Sequence, residues 1–179
     1  MKICYRHPQT SSLGVLGYNG IMLSVNSSAP AFSAPDQSGR LHHLQDYRDK
    51  WVLLYFYPKD DTPGCTKEAC NFRDNSRVLQ KMGVTVLGVS KDSVISHQNF
   101  AGKYNLNFPI LSDEDKTIIV SYEAWGLKKF MGKEYEGVKR ISYLIDPKGT
   151  IAKAYDHVNP LTHAKEVVAD LTLLTKSSR

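Results

Sequence analysis

Six consecutive strand formers, Val52-Leu53-Leu54-Tyr55-Phe56-Tyr57, lead through Pro58-Lys59-Asp60-Asp61-Thr62 into a helix-like stretch over residues 63–82. A strand that is apolar at every position, rather than at alternate ones, suits a sheet buried on both faces. The junction delivers Cys65 to the first turn of the helix. There the leading backbone N–H groups have no partner within the helix and the macrodipole is positive, so an anionic sulfur is favoured. A second thiol, Cys70, follows five residues later.

The same signals recur along the chain. Val84-Thr85-Val86-Leu87-Gly88-Val89-Ser90 is a second buried strand, reached after Gly83 at the C-cap position. The helix between the two strands is expected to carry Phe72, Val78 and Leu79 to the core. Residues 93–104 read as a polar helix anchored by Val94 and Phe100, Phe108-Pro109-Ile110-Leu111 as a short extended piece, and residues 113–123 as a further helix. Ile141-Ser142-Tyr143-Leu144-Ile145 is a strand, Asp146-Pro147-Lys148-Gly149 a turn, and residues 150–155 pair back antiparallel. Thr162 or His163 opens a terminal helix through Leu174 whose apolar face holds Ala164, Val167, Val168 and Leu171. Before all of these, Phe32 and the turn Pro35-Asp36-Gln37-Ser38-Gly39 read as a hairpin. Residues 125–136, with Gly126, Gly132 and many lysines, read as a loop. The order β-α-β-α-β-α-β-β-α predicts an α/β protein with a central, mostly parallel sheet, helices on both faces and a closing antiparallel hairpin. That order is compatible with a thioredoxin-like fold.

Composition narrows the function. The net charge of +5 is spread without a Lys/Arg block, so no nucleic-acid footprint is expected. No run of 18 apolar residues exists to span a membrane. Three cysteines, Cys4, Cys65 and Cys70, are too few for a secreted disulfide framework. No C-x-x-C or H-x-x-x-H pair offers metal-ligand spacing, even with His97, His157 and His163 in the chain. A reducing, cytoplasmic setting suits a catalytic thiol pair better. The first thirty residues carry no acidic residue. Gly17-Tyr18-Asn19-Gly20 interrupts any signal-peptide core, Pro30 spoils the small-residue cleavage site, and arginine is too scarce for a transit peptide. Residues 1–29 are therefore expected to be a poorly ordered extension, with Cys4 incidental and Met22 an alternative start. Residues 30–179 form the single folded unit.

Around the thiol, each residue has a plain reading beside a chemical one. Thr62 is three residues before Cys65; its hydroxyl can reach the sulfur or a substrate oxygen, and it can also cap the helix. Pro63 fits the first helical position, and Pro58 shapes the preceding turn. On an intact helix Cys65 and Cys70 lie about 8.6 Å apart at Cα and on different faces. A disulfide wants less than about 7 Å, so bridging them requires the first turns to unwind. Lys67, Glu68 and Arg73 read as surface helix residues. His42 and His43 point to opposite faces of a strand and read as surface. Trp125, Phe130 and Tyr135 read as packing or as a collar around a substrate mouth, and Lys128, Lys129 and Lys133 as solvated. Asp146 reads as turn chemistry.

The pattern Pro58-x-x-x-Thr62-x-x-Cys65 resembles the active-site signature of the peroxiredoxins. The segment Tyr55-Phe56-Tyr57-Pro58-Lys59-Asp60-Asp61-Thr62-Pro63-Gly64-Cys65-Thr66-Lys67-Glu68-Ala69-Cys70 is similar to the peroxiredoxin Q branch, also called bacterioferritin comigratory protein. Ala34-Pro35-Asp36, Asn71-Phe72-Arg73-Asp74, Leu111-Ser112-Asp113, Trp125-Gly126 and Arg140-Ile141-Ser142-Tyr143-Leu144-Ile145-Asp146 extend the likeness over about residues 30–175. The resemblance implies a thioredoxin-dependent peroxidase acting on hydrogen peroxide and organic hydroperoxides. Cys65 would be the peroxidatic cysteine, passing through a sulfenic acid. Pro58, Thr62, Gly64 and Arg140 would frame the peroxide, with Thr62 hydrogen-bonded to it and Arg140 beside the sulfur. Cys70 would resolve the sulfenic acid as an intramolecular Cys65–Cys70 disulfide, and thioredoxin or a similar dithiol would reduce that bond. No metal, haem or flavin is implied, and a monomer suffices for resolution. From the residues alone two other readings stand: a protein thiol–disulfide oxidoreductase, against which the C-x4-C spacing counts, and a thiol-based redox sensor.

Overall fold

A computed structural model describes residues 22–130 and 132–177. Its central sheet has five strands: β3 (Trp51–Phe56), β4 (Val84–Ser90), β5 (Ile110–Ser112), β8 (Ile141–Ile145) and β9 (Ile151–Tyr155), in the order β5-β4-β3-β8-β9. β3 pairs parallel with β4, and β4 with β5; β3 pairs antiparallel with β8, and β8 with β9. Only β8 therefore runs against the other four. Four of the five strands share one direction, as a mostly parallel sheet requires, and the two antiparallel ladders are those that β8 makes with β3 and β9. The closing hairpin β8–β9 is present.

Side-chain alternation on β3 divides the core in two. Leu53, Tyr55 and Tyr57 pack with Phe72 and Leu79 of α1 (Pro63–Lys81), Phe100 of α2 (Val94–Tyr104), and Ala164, Val167 and Leu171 of α4 (His163–Ser177). Val52, Leu54 and Phe56 pack on the other face with Ile118 and Ile119 of α3 (Thr117–Ser121). The chain steps β3 to β4 to β5 in one direction, so right-handed crossovers put α1 and α2 on one face. The return from β5 to β8 leaves α3 on the other. This is why β3 is apolar throughout.

Several expectations need correction. Val78 is 46% exposed, because it lies off the helix face that Phe72 and Leu79 share seven residues apart. The helix read over residues 113–123 narrows to α3; Asp113 stays outside it and accepts hydrogen bonds from the backbone of Ile118 and Ile119. Residues 125–136 are not a loop but part of an antiparallel hairpin, β6 (Trp125–Phe130) with β7 (Lys133–Val138). Its lysines and glutamates hid the alternation. The leading hairpin is formed by β1 (Ser33–Pro35) and β2 (Leu41–His43). His42 on β2 is buried rather than on the surface, between Asp36 and the hydroxyl of Tyr47.

Residues 22–29, assigned by sequence to the extension, lie along the sheet edge. Met22, Leu23 and Ala29 pack on the second core face. Asn26 N donates to Ile151 O, Ile151 N to Ser27 O and Ala29 N to Gly149 O. The expectation for residues 1–21, Cys4 included, lies outside the described residues. Among those described, no helix is long and apolar enough to cross a membrane.

Candidate active site

The site grows from the junction that opens the sequence. The last ladder contact of this strand edge is Tyr57 N to Val89 O. The chain then turns through residues 58–62 and enters α1 with Pro63 at the first helical position. Thr62 is the N-cap by position, yet its hydroxyl does not cap. It donates back to Lys59 O at 3.0 Å, while Thr62 O takes the N–H of Thr66. Cys65 follows in the first turn and is 1% exposed. Its own N–H is among the unpaired donors at the positive end of the dipole.

Arg140, just ahead of β8, reaches across to this sulfur. Its Nη2 donates to Cys65 Sγ at 3.1 Å. Its Nη1 donates to Glu68 Oε2. Gly64 makes room for the approach: a Cβ there would lie 3.3 Å from Nη2. Arg140 is partly buried, which alone would weaken its charge. Glu68 and Cys65 outweigh that effect and hold it above the usual guanidinium range. Pro58 is half-buried beside this loop. Thus Cys65, Gly64 and Arg140 are brought into contact, while the Thr62 hydroxyl faces the loop behind it.

Glu68 is the residue that sequence reasoning misplaced. Read as a surface position, it is fully buried. Its second oxygen, Oε1, has no hydrogen-bond partner among the described residues. Burial pushes its carboxyl up to about 7, with Arg140 pulling the other way. The missed signal was spacing: Glu68 is three residues after Cys65, on the same helix face, next to core residues Ala69 and Phe72. Arg73 does behave as expected, paired with Asp74, and it also donates to Tyr104 O.

Cys65 and Cys70 are both free thiols on an unbroken α1. Cys70 is half-buried, on a different side of the helix. A cavity of about 400 Å³ opens beside Arg140, lined by Met22, Leu127, Lys128, Lys139 and Ile141. Lys128 donates to Val138 O, and its amine is held below the ordinary lysine range by burial and then by Arg140. Trp125 packs on the second core face with Lys116 over its ring, and Tyr135 is 47% exposed on β7. The three histidines weighed as metal ligands stand apart in function: His97 pairs with Asp60, His163 with Ser142, and His157 with Asp156 at the surface.

The arrangement sets the sulfur in the first turn of α1, at the positive end of its dipole, with a fixed cation beside it, which is the setting that attack on a polarisable bond requires. Residues 25–154 match the model of the AhpC/TSA family. Peroxiredoxin Bcp of Escherichia coli is 48% identical over 141 residues, covering 79% of this chain and 90% of that protein. The structure of a cysteine-to-serine mutant of peroxiredoxin Q from Xylella fastidiosa superposes with a TM-score of 0.82 at 31% identity, over 87% of this chain and 99% of that one. Bacterioferritin comigratory protein of Xanthomonas campestris, whose structures address alkyl peroxide reduction, superposes with a TM-score of 0.75 at 34% identity, over 79% and 90%.

Proposed function

This chain belongs to the AhpC/TSA family and is a peroxidase of the peroxiredoxin type, and from that premise we propose that Cys65 is its peroxidatic cysteine and Cys70 its resolving one. The observation that carries the proposal is the Arg140 Nη2 to Cys65 Sγ hydrogen bond of 3.1 Å at the start of α1. The Cys65 thiolate attacks one peroxide oxygen. The O–O bond breaks, Cys65 becomes a sulfenic acid, and the other oxygen leaves as alkoxide or hydroxide and takes up a proton. Arg140 stabilises the sulfur before attack and the departing oxygen during it. Residues 58–64 form the floor on which the peroxide is oriented, with Pro58, Thr62 and Gly64 as its lining. For this role the Thr62 hydroxyl, which now donates to Lys59 O, turns toward the peroxide.

The Cys70 thiol then displaces water from the sulfenic acid to give a Cys65–Cys70 disulfide. A dithiol, thioredoxin or one of its kind, restores both thiols by exchange. Hydrogen peroxide and organic hydroperoxides are the substrates, the latter using the cavity beside Arg140. A single chain suffices, a cytoplasmic location fits the dithiol reductant, and residues 30–179 with the docked residues 22–29 make up the catalytic unit.

Stopped-flow peroxide reduction tests this directly. Cys65→Ser is expected to abolish turnover. Cys70→Ser is expected to react once with peroxide and then to recycle poorly with thioredoxin. Normal turnover by Cys65→Ser would overturn the assignment.

A further inference from the structure

Asp60 lies two residues before Thr62, inside the loop that carries Pro58 and Thr62 to the thiol. Its side chain is 5% exposed. Two hydroxyls donate to the carboxylate, Tyr57 Oη at 2.7 Å and Ser96 Oγ at 2.7 Å, and His97 Nδ1 lies 2.8 Å from it. The backbone N–H of Asp60 donates to Asp92 Oδ2 at 2.9 Å, the oxygen that also takes the Ser90 hydroxyl. The His97 side chain is fully buried. Its other ring nitrogen, Nε2, is 3.2 Å from Leu111 O on β5.

Both ring nitrogens of His97 thus face acceptors. A carboxylate and a backbone carbonyl have no proton to give, and a neutral imidazole carries one N–H, enough for one of them. With a single ring proton and an ionised Asp60, either Asp60 or Leu111 O would face a lone pair inside the core; the neutral alternative, a carboxylic acid giving its proton to Nδ1, is opposed by the Tyr57 and Ser96 hydroxyls, whose donation to both Asp60 oxygens favours the carboxylate. A carboxylate this deep also needs a compensating charge. The other groups facing the pair are the phenols of Tyr55 on β3 and of Tyr57 just past it, and the carboxylate of Asp92 after β4. Burial keeps Tyr57 protonated and hence a donor, and the Asp92 carboxylate is already occupied by Asp60 N and Ser90. His97 is left as the cation.

We infer that Asp60 and His97 form a buried ion pair, with both ring protons of His97 in place, and that this pair is the clamp positioning residues 58–62 for peroxide. The inference deepens the reading of that loop given above and rests on it. The next residue adds a second pin. Asp61 holds a left-handed backbone, φ +55°, and its carboxylate is tied to Lys103 Nζ and Tyr104 Oη at the far end of α2. A non-glycine residue keeps that conformation only where its surroundings over-determine it. The loop is therefore fastened at both ends of α2, whereas the sulfur itself meets Arg140 and the start of α1.

Two measurements test the clamp. In the wild-type protein, heteronuclear NMR of the histidine ring nitrogens is expected to find both nitrogens of His97 protonated. A single unprotonated, pyridine-type nitrogen would overturn the ion pair without touching the assignment of Cys65. In a Cys70→Ser background, Asp60→Asn and His97→Gln are expected to slow the reaction with hydrogen peroxide by about 100-fold, the scale of a 1 Å misplacement. The ultraviolet absorbance of the Cys65 thiolate should meanwhile stay as in the parent. Unchanged rates, or loss of rate and thiolate together, would overturn the positioning role. A parent that fails to react with peroxide would instead sink the functional reading, leaving the NMR result standing.

Discussion

One guanidinium serves two acceptors at this site, a sulfur and a carboxylate, and most of the site's chemistry follows from that sharing. Arg140 gives Nη2 to Cys65 and Nη1 to Glu68. Arg140→Ala removes the fixed cation from the sulfur and, in the proposed reaction, from the departing oxygen. The expected result is a peroxide rate lower by about 100-fold or more, with an unchanged far-ultraviolet spectrum, read by stopped flow. Glu68 is the more informative position. Its carboxyl is raised by burial to about 7 from the ordinary 4.5. The folded state therefore binds its proton more tightly than the unfolded state does. The resulting stabilisation is fully present below about pH 4.5 and is lost as pH rises through about 7. Glu68→Gln cannot ionise and escapes that loss. In urea unfolding at about pH 5 and about pH 8, the variant is expected to gain on the wild type toward the higher pH, by at most about 3 kcal/mol. A difference that shrinks toward high pH would contradict the buried assignment.

In the proposed resolution by Cys70, the helix that presents the thiol is also the element that must come apart. Cys65 and Cys70 stand on an unbroken α1, about 8.6 Å apart by helix geometry, beyond the reach of a disulfide. The polar ties along α1 are unequal. The turns holding Cys65 and Glu68 are tied through Arg140 alone in the hydrogen bonds described above, and Thr66 Oγ1 is buried without a partner among the described residues. From Asn71 onward the ties multiply. Asn71 donates to Leu161 O and accepts from Ala164 N at the start of α4, and Arg73 donates to Tyr104 O. Ahead of Thr62 the Asp60 and Asp61 contacts hold. Unwinding is expected to be confined to about residues 62–70. Hydrogen exchange on the oxidised protein should speed up there, while backbone amides beyond Phe72 keep their protection. Loss of protection along the whole helix would refute this boundary. The β6–β7 hairpin teaches the opposite lesson at the same scale. Its residues are mostly exposed, so neither face carries the apolar alternation by which a strand is recognised.

At the scale of the whole molecule, the sheet edge is completed by a segment that composition alone set aside. Residues 22–29 pair with β9 and cover the second core face through Met22, Leu23 and Ala29. A chain begun at Met22 is expected to melt roughly 5 °C above one begun at Pro30, the scale of about 1–2 kcal/mol in a domain of this size. Equal melting temperatures would show that segment to be dispensable. What the sequence by itself determined was local: the doubly buried strand, the helix whose first turn holds Cys65, the order of strands and helices, and a thiol pair too far apart to bridge without unwinding. These depend on residues within a few positions of one another, where propensity, capping and periodicity act. What only the tertiary structure decided were contacts between distant segments. Arg140 lies 75 residues from the sulfur it touches, and His97 37 residues from Asp60. The burial of Glu68 and His42 depends on which strand or loop the chain lays over them. Pairing across such distances is set by packing the sheet's two faces, and no local pattern encodes it.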